Sequence, residues 1–144
     1  MSSSASAIAD GLVTMFSAAS LFGAGNVSKN SYQVLETSAG SCMVVQWVRY
    51  NSTPMTFGTP MAARKIWSFS LKCYVRDTGD PGATVNRVWR ATDNVVACLA
   101  ADDTILGLVD EIGAITATRD PELGYTVGGA TWLPFEFTIE TLQF

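Results

Sequence analysis

The order and period of its apolar residues predict an α+β fold for this chain. The expected architecture is a mainly antiparallel sheet of four to five strands, with an N-terminal helix and a central amphipathic helix on one face. Three observations carry that expectation. Apolar residues recur at spacings of three and four in two segments, Ser4 to Phe22 and Pro81 to Ala101. They alternate with polar residues in Arg64 to Arg76 and in Trp132 to Phe144. No internal repeat, low-complexity tract or linker divides the 144 residues, a length that suits one domain at about 100–200 residues each.

In the first helix, Ile8, Leu12, Met15, Phe16 and Ala19 share one face, Ser4 is the expected N-cap, and Gly23 and Gly25 are the expected stop. Ser6, Asp10, Ser17 and Ser20 occupy the other face. Asp10 and the missing basic leader segment argue against a signal peptide. Tyr32 to Glu36 is a short strand candidate, and Ser38-Ala39-Gly40 a turn. Cys42 to Tyr50, apolar on both faces, reads as a strand interior to a sheet.

Asn51 to Ala63 holds Pro54, Gly58 and Pro60 and has no period. It is expected to be a loop of about a dozen residues, long for a simple connection. Its Met55, Phe57 and Met61 either tuck onto the sheet or contact a neighbouring subunit. In Arg64 to Arg76, Trp67, Phe69, Leu71, Cys73 and Val75 point one way, and Ser68, Ser70, Lys72 and Arg76 the other. This strand should pair with Cys42 to Tyr50 in a long hairpin.

Asp80 and Pro81 mark the start of the central helix as N-cap and first-turn proline. Val85, Val88, Trp89, Val95, Val96 and Leu99 are expected to face the sheet. After Asp102-Asp103-Thr104, Ile105-Leu106-Gly107 and Val109 to Thr118 form the next strand candidate. Gly128-Gly129 signals a turn before the last strand. Pro134 places the start of that strand at an edge or bulge.

Composition excludes much chemistry. There is no histidine, which removes the Ser-His-Asp triad, the Cys-His dyad and every His-containing zinc site. Cys42, Cys73 and Cys98 are odd in number, lack a C-x-x-C spacing and sit in apolar runs. They read as reduced core residues of a protein made in the cytosol. Neither phosphate-binding glycine motif is present, and no apolar run approaches the ~20 residues of a membrane span. The net charge of −4 and the scattered basic residues, with Arg64-Lys65 the one adjacent pair, argue against a free-standing nucleic-acid binder. Asp102-Asp103 is an adjacent carboxylate pair with too few oxygens alone for a hard cation, and it reads as a polar helix terminus and turn. Glu136 and Glu140 share a strand face about 13 Å apart, wider than a glycosidase pair. No enzymatic activity, bound metal or cofactor is expected. Charged residues make up 15% of the chain and apolar ones 48%, a balance suited to burial against partners.

One family has this arrangement. An N-terminal helix leads to a long hairpin with Trp67-Ser-Phe-Ser-Leu-Lys-Cys-Tyr-Val75. Asp80-Pro81 opens a helix that runs through VNRVWRATDNVVACLAADDTILGLVDEI, and a Gly-bearing hairpin closes with FEFTIETL. In order and pattern the chain resembles the tail terminator, or tail completion, proteins of long-tailed bacteriophages, over nearly its whole length. Leu99-Ala-Ala-Asp-Asp-Thr-Ile-Leu-Gly-Leu-Val109 carries the resemblance furthest. The long loop from Asn51 to Ala63 and the terminal Phe144 depart from it.

The resemblance implies a structural virion protein and a single domain of this type over residues 1–144. It implies a homohexameric ring at the head-proximal end of the tail that caps the tail tube and stops its polymerisation. Its partners would be the tail tube protein, a head-completion or connector protein, and viral DNA passing through the lumen without sequence-specific contact, with no membrane involved. A ring needs two different patches that meet. The residues offer a basic, apolar one (Met55, Phe57, Met61, Arg64 and Lys65) and an acidic one (Asp102, Asp103, Glu136 and Glu140). The alternatives are a head–tail connector or head-closure protein of the neck, a small-molecule binding domain, and a small enzyme using Asp and Lys alone.

Overall fold

A computed structural model of the chain describes residues 4–18, 26–29, 40–54, 63–77, 79–119, 125–127 and 130–143. Among them, helix α1 (Ala5–Ala18) is followed by β1 (Val27–Lys29), β2 (Ser41–Pro54) and β3 (Ala63–Arg76). Helix α2 (Pro81–Ala101) comes next, then β4 (Glu111–Thr118), β5 (Tyr125–Val127) and β6 (Ala130–Gln143). The strands form one sheet in the order β1-β2-β3-β6-β4, with β5 also pairing β6. Only the β1–β2 pair is parallel. The expected α+β layout, with both helices on one face of a mainly antiparallel sheet, is the observed one.

Local signals set both helix starts. The Ser4 hydroxyl accepts a hydrogen bond from the Ala7 amide at 3.1 Å. The Asp80 carboxylate accepts one from the Ala83 amide at 3.3 Å, with Pro81 in the first turn. Ile8, Leu12, Met15 and Phe16 of α1 are buried. They join Val88, Val95 and Leu99 of α2 in one core over Met43, Val45, Phe69, Leu71, Phe137 and Ile139. Each such side chain, fully buried, contributes about 1.5–3 kcal/mol. Lys29 of β1 ties the sheet edge to α1, with an ion pair to Asp10 at 3.1 Å and a hydrogen bond to the Ser6 hydroxyl at 2.8 Å.

The β2–β3 hairpin is longer than its sequence pattern indicates. Residues 51–54, expected in a loop, continue β2 and pair with residues 63–66. The connection shrinks to residues 55–62, outside the described residues. The strand expected over Tyr32 to Glu36, the stop at Gly23 and Gly25, and the turn at Gly128-Gly129 also lie outside them. The parallel strand β1 was not anticipated, because three residues carry no readable period.

Pro134 fits its place for a specific reason. On the side of β6 away from β3, β4 ends opposite Glu136 and β5 begins opposite Trp132. Pro134 falls in the gap, where its missing N–H breaks no described ladder bond.

Two expectations for α2 need correction. Thr84, Val88, Val95 and Leu99 are buried, but Trp89 is 61% exposed and Val96 43% exposed. Each follows a buried valine by one residue, about 100° further round a helix of 3.6 residues per turn. The apolar arc of α2 is therefore wider than the sheet beneath it. Ile105-Leu106-Gly107 is not strand either: residues 102–110 form turns, and β4 starts at Glu111.

Candidate functional site

The turn after α2 is built around Asp102. Its carboxylate accepts hydrogen bonds from the Thr104 hydroxyl at 2.8 Å, the Leu106 amide at 3.0 Å and the Thr104 amide at 3.2 Å. The Leu106 amide above all, then the Thr104 hydroxyl, holds the carboxyl below its ordinary value of 3.8, against a small opposing effect of burial. The backbone at Ile105, Leu106 and Gly107 is left-handed, with φ of 48°, 58° and 80°. Left-handed backbone costs a non-glycine residue roughly 1–2 kcal/mol. Burial of Ile105, which is 0% exposed, offsets the cost. Ile105 reaches α1 because Gly11 has no side chain: a Cβ there would meet Leu108 Cδ1 at 2.5 Å and Ile105 Cγ2 at 3.3 Å. Asp102 thus has a folding task, and exposed Asp103 projects from the same turn.

The structure splits the expected acidic patch. Glu136 and Glu140 lie on the sheet face opposite the helices, in register with Lys72 and Ser68 of β3. Both are half-buried, and Glu136 accepts a hydrogen bond from the Ser70 hydroxyl at 2.8 Å. Asp102 and Asp103 stand at the end of α2, in the helical layer. Of the expected basic patch, Arg64 is exposed and Lys65 half-buried at the start of β3, while Met55, Phe57 and Met61 lie outside the described residues.

The surface the sequence reading missed is apolar. Trp47 is 55% exposed, Val48 54% and Tyr50 41%, all on the distal half of β2. Tyr50 also packs against Trp67, with ring centroids 4.2 Å apart and the planes tilted by 40°. Near Trp47, a groove of about 230 Å³ is lined by Ala5, Ser6, Ala9 and Lys29. Across the sheet, Ile115 of β4 is 40% exposed. Beside that strand, a groove of about 360 Å³ is lined by Val88, Trp89, Thr92, Ala117, Thr118, Arg119 and Phe135. Toward each edge of the sheet there are thus exposed apolar side chains and a tryptophan-walled groove. The signal was present in two places: in β2, apolar on both faces, and in residues 112–118, which hold no charge. The first reads as a strand interior to a sheet, the second simply as a strand.

The three cysteines are free, Cys42 and Cys73 buried and Cys98 half-buried. Burial pushes the Cys42 thiol up to about 12 and raises Cys73 and Cys98 as well, so all three are neutral thiols near pH 7. Among the described residues, no group of three or more Cys, Asp or Glu side chains is placed to hold a metal ion. No described helix is long and apolar enough to cross a membrane. The chain matches no protein-family model and no curated protein.

Proposed function

We propose that this chain is a structural protein of a long-tailed bacteriophage virion, a tail terminator. It assembles as a homohexameric ring on the head-proximal end of the tail tube and stops tube polymerisation. It offers the surface that a head-completion or connector protein joins, and viral DNA passes through its lumen. One observation supports the reading most: exposed apolar surfaces lie toward opposite edges of one sheet. Large exposed apolar patches mark interaction sites, and two different patches on opposite sides suit a head-to-tail ring. The number six and the place on the tail come from the resemblance in element order and in Leu99 to Val109. A net charge of −4 favours a lumen that repels DNA rather than grips it.

Adding the purified protein to polymerising tail tube protein tests the proposal. The expected result is tubes that stop growing, with a six-fold ring at one end in electron micrographs. A ring that binds DNA-filled heads but not tubes identifies a neck connector instead. Location at the distal tip of the tail overturns both readings.

A further inference from the structure

We infer that copies of this chain join by continuing their sheets, with β4 of one copy pairing antiparallel to the distal half of β2 in the next. The paired stretches are residues 111–116 and residues 46–51. The inference supplies the contact that the ring reading requires, and it stands or falls separately from any role at a tail.

Both strands are open along one edge among the described residues. β4 pairs with β6 on one side and with no described strand on the other. Its side chains are exposed from Gly113 to Thr118, without a charge among them. Natural edge strands are usually blunted by charges, proline or short length; β4 is eight residues long, has no proline and carries its one charge, Glu111, at its first position. Among the described residues, β1 pairs with β2 from Met43 to Val45. From Trp47 to Ser52 the β2 side chains are exposed, and no described strand lies alongside them.

Register then links the two edges. Reading across the sheet, Ile115 lies level with Ile139, Phe69 and Trp47. Ile112 lies level with Thr141, Trp67 and Tyr50, and Thr116 with Thr138, Ser70 and Gln46. The two open edges therefore sit at the same height. Directly paired residues share a sheet face, so Ile112, Ile115, Trp47 and Tyr50 all belong to the helix-bearing face. The irregularities match too. β2 shifts register between Trp47 and Arg49, and β4 between Ile112 and Ile115. Both shifts fall at the rung of Ser68 and Glu140, so the two edges bend at one height.

Direction and charge agree with this pairing. β4 runs opposite to β2, because each of the three steps β2–β3, β3–β6 and β6–β4 is antiparallel. A second copy placed alongside in the same orientation therefore presents an antiparallel ladder. Within the paired stretches, Arg49 is the one charge on β2 and Glu111 the one charge on β4. By register both lie on the helix-free face, and they become diagonal neighbours across the contact, a favourable opposite-charge pair. Each copy uses one edge of each kind, so the contact is heterologous and propagates until it closes.

Cysteine cross-linking tests the assignment. In the full-length chain carrying Cys98→Ser, Ile115→Cys and Trp47→Cys are made singly and together, and oxidised at a concentration where the parent assembles. The double variant is expected to give a ladder of covalent multimers on a non-reducing gel, and each single variant none. Covalent dimers from a single variant mean that an edge pairs with its own kind, which overturns the inference. So does a double variant that stays unlinked, or a parent that remains monomeric at every concentration. Hydrogen exchange on the unaltered protein gives a second reading. Amides in residues 111–116 and 46–51 should slow at least ~tenfold on assembly, and assembly without that protection also overturns the inference. Cross-linked rings that fail to cap tubes would sink the tail assignment alone. Capping without this cross-link would sink the edge pairing alone.

Discussion

Residues 105–109 and 112–118 follow the same helix, lie a few positions apart and are similarly apolar, yet the fold uses them in opposite ways. The first stretch turns inward. Ile105 is 0% and Val109 5% exposed, and the Leu108 carbonyl accepts a hydrogen bond from the Gln143 side chain at 3.0 Å. The second stretch is a strand with Ile115 40% exposed. The difference lies in the surroundings. Gly11 opens a seat on α1 for Ile105 and Leu108, whereas on β4 Ile112 packs against the core but Ile115 stays exposed. The strained turn is covered from within the chain, whereas Ile115 of β4 is left exposed.

Substitutions at Ile105, Asp102, Leu106 and Trp89 test this contrast, the largest effect first. Ile105→Ala removes a fully buried side chain and should destabilise the isolated chain by about 2–5 kcal/mol; a denaturant titration measures it. A loss no larger than that of Ile115→Ala, expected to lie within about 0.5 kcal/mol, would erase the difference between the two regions.

Asp102→Ala leaves the Leu106 and Thr104 amides without their acceptor and should cost about 1–2 kcal/mol. The same carboxylate gives a pH signature. Its folded value is depressed, so its stabilisation is complete above the unfolded value near 3.8 and fades as pH falls through the folded value. Melting temperatures of the parent and of Asp102→Asn should therefore converge in acid. A gap that stays constant down to about pH 2.5 would remove Asp102 from the turn's support.

Leu106→Gly relieves left-handed backbone at a residue that is 53% exposed. It should raise stability by up to about 1 kcal/mol. A loss instead would show that the Leu106 side chain is held by contacts the turn needs. The smallest effect is expected from Trp89→Ala, about 0.5 kcal/mol at an exposed site, against about 3–5 for a buried tryptophan. The same variant should weaken self-association if the groove beside β4 belongs to a contact. A thermal melt and sedimentation together separate the two outcomes.

Much of the fold could be read without coordinates. Ser4 and Asp80 cap helices because their side chains reach amides three residues on, a strictly local geometry. The alternation in Trp67 to Val75 assigned the core face of β3 correctly, since side chains in a strand change sides at every residue. The candidate site was less legible. Asp102 and Asp103 were legible as a helix terminus and turn, and hydrogen bonds to nearby amides hold Asp102 there; their place in an acidic patch was not. Glu136 and Glu140 were placed correctly on one strand face, but nothing in their spacing says that Asp102 lies in the other layer. Met55, Phe57 and Met61, outside the described residues, remain an expectation about the hairpin's tip.

The sequence by itself determined the period of each element, the caps that start the helices and the α+β class, because those depend on neighbours within a few residues. Only the tertiary structure decided which apolar residues are covered. Trp89 follows Val88 by one position, and the pattern of α2 admits both to a wide apolar face, but the sheet beneath spans only Val88. Ile105 and Ile115 have the same side chain; one meets Gly11 of α1 and the other lies on an open edge. Coverage depends on what stands across the gap, and distant segments of the chain bring that surface into place.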